Sequence, residues 1–166
     1  MADARPALLV VRLHAEPFDP LALLAGTGPG GGSGAHPGGW CGGLGLDSPA
    51  AEAHFIGRVR GTAAGGGVLE ALELEHYPGM TERQLQVLAQ ACAARHGVAA
   101  VLVAHRVGRA LPGEALVLVA VAADRRGPAQ RCGGELLEAL KHEAPFWKRE
   151  WSGGVGTWVE GNTPLG

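Results

Sequence analysis

What the chain lacks narrows its reading first. It has three cysteines, Cys41, Cys92 and Cys132, far apart, odd in number and with no Cys-x-x-Cys pair. A disulfide framework or a zinc site does not fit that pattern, and a reducing compartment does. Cys92 and Cys132 fall on apolar helix faces and read as core residues. No stretch reaches the roughly 18 apolar residues that a spanning helix needs. No basic segment followed by a long apolar run and a cleavage site is seen at the N-terminus, so the expected location is cytoplasmic. Positive charge is not in excess: the net charge is −2 with seven histidines taken as neutral. That argues against a general nucleic-acid binder, which needs a basic balance, but leaves room for a local basic pocket. The glycine-dominated segment 26–45 contains no GxxxxGK[ST], and no convincing strand and helix flank it. It reads as a mobile loop rather than a phosphate cradle.

What is present suits one domain over residues 1–166 with a single core, 46% hydrophobic and with a loose tail at 161–166. Residues 7–14 read as a strand. Asp19 caps a short helix through Leu24, with Pro20 at its first position. Residues 53–60 form a strand with Phe55, Gly57 and Val59 on one face and Ile56, Arg58 and Arg60 on the other. Residues 68–76 are ambiguous between helix and hairpin strand, and Tyr77-Pro78-Gly79 is a turn. The clearest helix spans 81–96, with Thr81 and Gln84 at capping-box spacing, Leu85, Leu88, Ala89 and Cys92 as its apolar stripe, and Gly97 as its stop. Residues 98–104 are a short strand, His105 to Gly108 lead into a turn, and the very apolar 116–122 is a central strand. Residues 157–160 suggest a last strand. The sum is an α+β fold, two main helices packed on a largely antiparallel sheet.

The cations concentrate late in the chain. A helix over 128–143 buries Ala129, Gly133, Leu136, Leu137 and Leu140 on one stripe that runs on to Ala144. Pro145 cannot continue it and biases Ala144 away from helical angles. Lys141 therefore sits near the helix end and Lys148 just past the break, and their ammonium groups converge only if the chain turns back. The plainer alternative is a solvated face, with Lys141 paired to Glu138. Arg125 and Arg126 lie where a helix start favours anions, unless Asp124 simply pairs with one of them.

Several motifs together resemble the large, catalytic subunit of molybdopterin synthase, the MoaE family. They are Leu72-Glu73-Leu74-Glu75-His76-Tyr77-Pro78-Gly79-Met80-Thr81-Glu82, His105-Arg106-Val107-Gly108 with Pro112-Gly113-Glu114, and Gly57-Arg58-Val59-Arg60. Leu140-Lys141 with Ala144-Pro145-Phe146-Trp147-Lys148-Arg149-Glu150 completes the set, in the family's order. The resemblance implies an α/β hammerhead fold and a dimer of large subunits within a heterotetramer. Each large subunit would bind a small ubiquitin-like subunit ending in a Gly-Gly thiocarboxylate. Its sulfur would pass to cyclic pyranopterin monophosphate to build the dithiolene of molybdopterin, for molybdenum cofactor biosynthesis. Both reactants are anionic, which agrees with a site of arginines and lysines.

The resemblance also implies residue roles. Lys141 and Lys148 match the catalytic lysines, and Arg58, Val59, Arg60, Arg125, Arg126, Arg149 and Glu150 match substrate-binding positions. Phe55 lines the channel for the incoming tail, or else is a core residue. No cofactor and no metal is implied for this step. Arg125 departs from a histidine found in many members, which removes a titratable group. Two alternatives stand beside the enzyme: a degenerate relative that binds the small subunit without catalysis, and an unrelated basic-pocket protein for phosphorylated metabolites.

Overall fold

A computed structural model describes residues 6–27, 39–44 and 49–160. In chain order the elements begin with strand β1 (Leu8–His14), helix α1 (Pro20–Leu24) and a 3-10 turn (Gly39–Leu44). Strands β2 (Ala51–Arg58) and β3 (Ala71–Glu75) follow, then helix α2 (Met80–His96). Next come β4 (Ala100–Arg106), β5 (Gly108–Ala110) and β6 (Ala115–Ala123). Helix α3 (Arg126–Glu143) and strands β7 (Trp147–Ser152) and β8 (Val155–Trp158) close the series. The expected α+β class holds, but the strands divide into two four-stranded sheets rather than one. The first has the order β1-β4-β6-β2, parallel only between β1 and β4; the second, β5-β3-β7-β8, is antiparallel throughout.

The first sheet is covered on both faces, which is why β4 and β6 are apolar almost without interruption. Val101, Val103, Val117, Val119 and Val121 meet α2 and α3 through Leu85, Leu88, Cys92, Cys132, Leu136 and Leu140. The alternate residues Leu102, Ala104, Leu118 and Ala120 pack on Leu23 of α1, with Phe18, Trp40 and Ile56 beside them. Leu85, Leu118 and Leu136 are wholly buried. Each contributes about 1.5–3 kcal/mol relative to an exposed position.

Local chemistry sets the element ends. Asp19 caps α1 by accepting the N–H groups of Leu21 and Ala22. Helix α2 does not start through Thr81 and Gln84 as their spacing suggests. Its N-cap is Gly79, whose N–H is accepted by the Glu82 carboxylate at 2.6 Å, while buried Thr81 turns its hydroxyl to the Tyr77 N–H. Gly97 ends the helix at φ +61°, a conformation glycine adopts without a Cβ clash. Strand β4 runs two residues past the expected end at 104, through His105 and Arg106. Arg106 is buried because its guanidinium donates to the carbonyls of His14, Ala15, Val107 and Arg109, tying together the ends of β1, β4 and β5. The ambiguous segment before Tyr77 is strand β3. Most of the 26–45 loop and all of the 161–166 tail lie outside the described residues, and the part over 39–44 is the 3-10 turn. No described helix is long and apolar enough to cross a membrane.

Candidate active site

Three pieces of chain enclose the site. The first is the end of β2 and the residues after it. Gly57 pairs with Val117 and Arg58 with Ala115, so Leu116 is an extra residue in β6. Such a bulge re-aims side chains. The alternation that would separate Phe55 and Gly57 from Arg58 and Arg60 is broken here, and all four line one cavity. Val59 points the other way, into the cluster of Leu69, Leu72, Leu74 and Ala110.

The second and third pieces are the end of α3 and the start of β7. Ala144 takes extended angles before Pro145, and β7 returns antiparallel to β3. The chain thus turns back, and Lys141 and Lys148 line the same cavity of about 400 Å³. Its other walls are Leu116, Val117, Leu137, Leu140, Ala144, Phe146 and Val159, with His105 and His142. Arg58, Arg60, Lys141 and Lys148 face this space and no carboxylate lines it. Glu138 sits outside the lining and reaches the Lys141 ammonium at 3.3 Å and His142 at 3.6 Å. Arg58 donates to the Gly113 carbonyl at 3.2 Å.

The electrostatics follow from this crowding. Burial, then the charges of Lys141 and Arg60, hold Lys148 below the ordinary lysine range. His105 is pushed down to about 4, chiefly by burial and further by Lys148, against the opposing pull of its bond to a backbone carbonyl. Its Nδ1 lies 2.8 Å from the Arg106 carbonyl oxygen, and its ring stacks on Phe146 at 4.3 Å. Among the described residues no group of three or more His, Cys, Asp or Glu side chains is placed to hold a metal ion.

The residues expected at the site separate into three sets. Phe55, Arg58, Arg60, Lys141 and Lys148 come together. Phe55 is 43% exposed, so the core reading of it fails. Val59 and Glu150 line a smaller recess behind Lys148, where Glu150 accepts the Ala64 N–H at 2.8 Å. Val59 itself is buried in a core cluster and does not line the main cavity. The rest lie elsewhere. Arg126 lines a neighbouring groove with Glu52, His54 and Gln130, which shares Phe55 and Leu137 with the cavity. Arg125 is the N-cap residue of α3 and lines neither space. Arg149 is on the opposite face of β7, bonded to Glu73 at 2.9 Å and stacked on Trp151 and Trp158. Sequence reasoning missed His105 as a wall of the site. The available signal was a histidine at the end of an otherwise apolar strand.

A cavity lined by two arginines, two lysines and no carboxylate defines an anion-binding α+β protein with a chemically poised lysine. The comparisons with known proteins specify the class. The family model described as MoaE protein matches residues 46–143. The molybdopterin synthase catalytic subunit of Ralstonia nicotianae is 46% identical over 110 residues, 66% of this chain and 62% of that protein. The corresponding subunit of Caulobacter vibrioides is 36% identical over 152 residues, 92% of this chain and 89% of that one. The solved MoaE protein of Burkholderia ambifaria superposes with a TM-score of 0.71 at 33% identity, over 94% of this chain and 92% of its own. A complex of subunits 1 and 2 of the molybdopterin-converting factor of Helicobacter pylori shares the fold, at a TM-score of 0.57 and 20% identity over 68% of this chain and 73% of that one. The chain belongs to the MoaE family.

Proposed function

We propose that this chain is the large subunit of a molybdopterin synthase. In this reading it takes sulfur from the C-terminal thiocarboxylate of a small ubiquitin-like subunit and transfers it to cyclic pyranopterin monophosphate. The observation behind it is the meeting of Lys141 and Lys148, across the Pro145 break, in a cup lined by no carboxylate. A cyclic phosphate and a thiocarboxylate repel one another, and fixed cations are what hold two anions in one space.

Arg58 and Arg60 take the phosphate, since a guanidinium fork matches phosphate oxygens. The thiocarboxylate sulfur attacks the pterin carbon as the oxygen on that carbon departs. Lys141, against the former thiocarboxylate carbon, then polarises the thioester so formed, and water cleaves its acyl–sulfur bond, leaving sulfur on the pterin and releasing the tail as a carboxylate. Lys148 gives its proton to the departing oxygen, and its lowered pKa makes it a stronger acid for that purpose. The groove beside the cavity reaches it past Phe55 and Leu137, a route by which an extended tail enters. Arg126 stands along that route. The working assembly is a dimer of large subunits, each with one small subunit, in the cytoplasm.

The test combines purified protein, thiocarboxylated small subunit and cyclic pyranopterin monophosphate. Wild type forms dithiolene product, and Lys141→Ala forms it at least about 100-fold more slowly. Complex formation without product from wild type would make this chain a binding module. No complex at all would remove the proposed partner.

A further inference from the structure

We propose that His105 is a positioning residue for Lys148: an uncharged acceptor at the wall of a cationic cavity, whose Nε2 orients the Lys148 ammonium. This rests on the reading of the cavity as the sulfur-transfer site.

Geometry brings the two together. Phe146 and Lys148 are two residues apart where the chain leaves its helix in extended form, so their side chains leave on the same side. The Phe146 ring lies flat on His105, at 4.3 Å and 20° between planes. His105, Phe146 and Lys148 all line the one cavity. The opposite ring nitrogen is already committed. Only a protonated Nδ1 satisfies the Arg106 carbonyl at 2.8 Å, so Nε2 carries the lone pair. Among the described residues no hydrogen bond reaches Nε2, and it is not among the sealed polar atoms. Its bond to Lys148 forms when the flexible lysine stem swings across the cavity toward it. Its lone pair is available to the cavity.

The surroundings keep His105 an acceptor. Every charged group facing the cavity with it is a cation: Arg58 and Arg60 after β2, Lys141 on α3 and Lys148 on β7. His142 on α3 is the other titratable neighbour. The β6 neighbours Leu116 and Val117 and the β1 neighbour Leu13 are uncharged. The terminal nitrogens of the adjacent Arg106 guanidinium donate to backbone carbonyls, and one of these nitrogens faces the Glu114 carboxylate at 3.7 Å. A protonated imidazole would add one more cation to this set, so the ring stays neutral and accepts.

His105→Phe retains the ring against Phe146 and removes the acceptor. The expected result is a fall in kcat of about 10- to 100-fold, the worth of one charge-assisted hydrogen bond, with KM changed less than about twofold. Nε2 favours the protonated form of Lys148 by accepting from it. Its removal therefore moves the alkaline limb of the kcat profile to lower pH. His105→Gln, which offers an amide oxygen, recovers part of kcat and returns that limb toward wild type. A role in folding alone would change neither pH limb nor rescue. Wild-type kcat and pH profile in His105→Phe would overturn the proposal.

A second readout needs no turnover. In protein with nitrogen-labelled histidine, the His105 titration rises in Lys148→Met, because a like charge has gone. An unmoved titration would show that the two groups do not face each other and would end the proposal. If wild type makes no product, the sulfur-transfer reading falls, and this titration still decides whether His105 and Lys148 are paired.

Discussion

At the scale of the residue, Arg149 shows how one position changes a role. The Lys148-Arg149-Glu150 run reads in sequence as one basic-acidic cluster at the pocket. As strand β7 it must alternate. Lys148 and Glu150 point to the cavity side, and Arg149 joins Trp151 on the other. There its guanidinium lies 5.0 Å from the Trp151 ring centre and 4.8 Å from that of Trp158. Glu73 accepts from both Arg149, at 2.9 Å, and the Trp151 indole, at 2.8 Å. These two bonds hold the Glu73 carboxyl below its ordinary range, against a smaller opposing effect of burial. Arg149→Ala should therefore lower stability by about 1–3 kcal/mol, from one charged hydrogen bond and two cation–ring contacts. Substrate KM should hardly move. Urea midpoints together with steady-state kinetics check this, and a raised KM with an unchanged midpoint would return Arg149 to the substrate. The two lysines were legible in the sequence because Pro145 marks a break between them. The separation of Arg149 was not, because a run of charges conceals its own strand.

Elements differ in how plainly they announce themselves. The long helices do so through periodicity and their stops: Gly97 for α2, Pro145 beyond α3. Strand β3 does not, because Ala-Leu-Glu-Leu-Glu fits a helix as well as a strand, and pairing with β5 and β7 decides it. Strand β2 ends two residues before the expected limit at 60, where the extra Leu116 of β6 interrupts the ladder. A bulge in the partner strand leaves no mark in the strand it redirects. This junction is tight as well as irregular. A Cβ on Gly57 would stand 2.8 Å from Val117 Cγ1 and 3.2 Å from the Phe55 ring. Gly57→Ala must push one of them aside, at a cost of about 1–3 kcal/mol. The exposed Phe55 ring gives way more readily than Val117, which is 8% exposed. The expected consequence is a lower denaturation midpoint and weaker binding of a Gly-Gly-tailed small subunit. Calorimetric titration of Gly57→Ala beside wild type measures the second effect. Unchanged affinity would mean that Phe55 does not border the route of the tail.

The molecule as a whole should be acid-sensitive for a reason its composition does not reveal. Seven histidines in a chain of net charge −2 say nothing about which are buried. Folding buries His105 among cations and lowers it to about 4. It also lowers His14, through burial and then the charges of Arg12 and Arg106. A histidine whose folded pKa lies below its unfolded value binds fewer protons folded than unfolded between those two values. Stability therefore rises with pH across that interval. The contribution is fully present above about 6.5, the ordinary histidine value, and is lost as pH falls toward 4. For His105 alone the shift corresponds to a loss on the order of 3 kcal/mol. Against a usual total of about 5–15 kcal/mol, that is a large share. Glu73 adds in the same direction lower down, because its depressed carboxyl loses its stabilising bonds as it protonates. Thermal unfolding between pH 7 and pH 4 should therefore show a steep fall in midpoint, and His105→Phe should make the slope shallower while lowering the midpoint at pH 7. The two variant effects have different origins. The lower midpoint reflects the lost bond to the Arg106 carbonyl, and the shallower slope reflects the lost titration. An identical slope in wild type and variant would place His105 in contact with solvent and remove it as a source of the acid sensitivity.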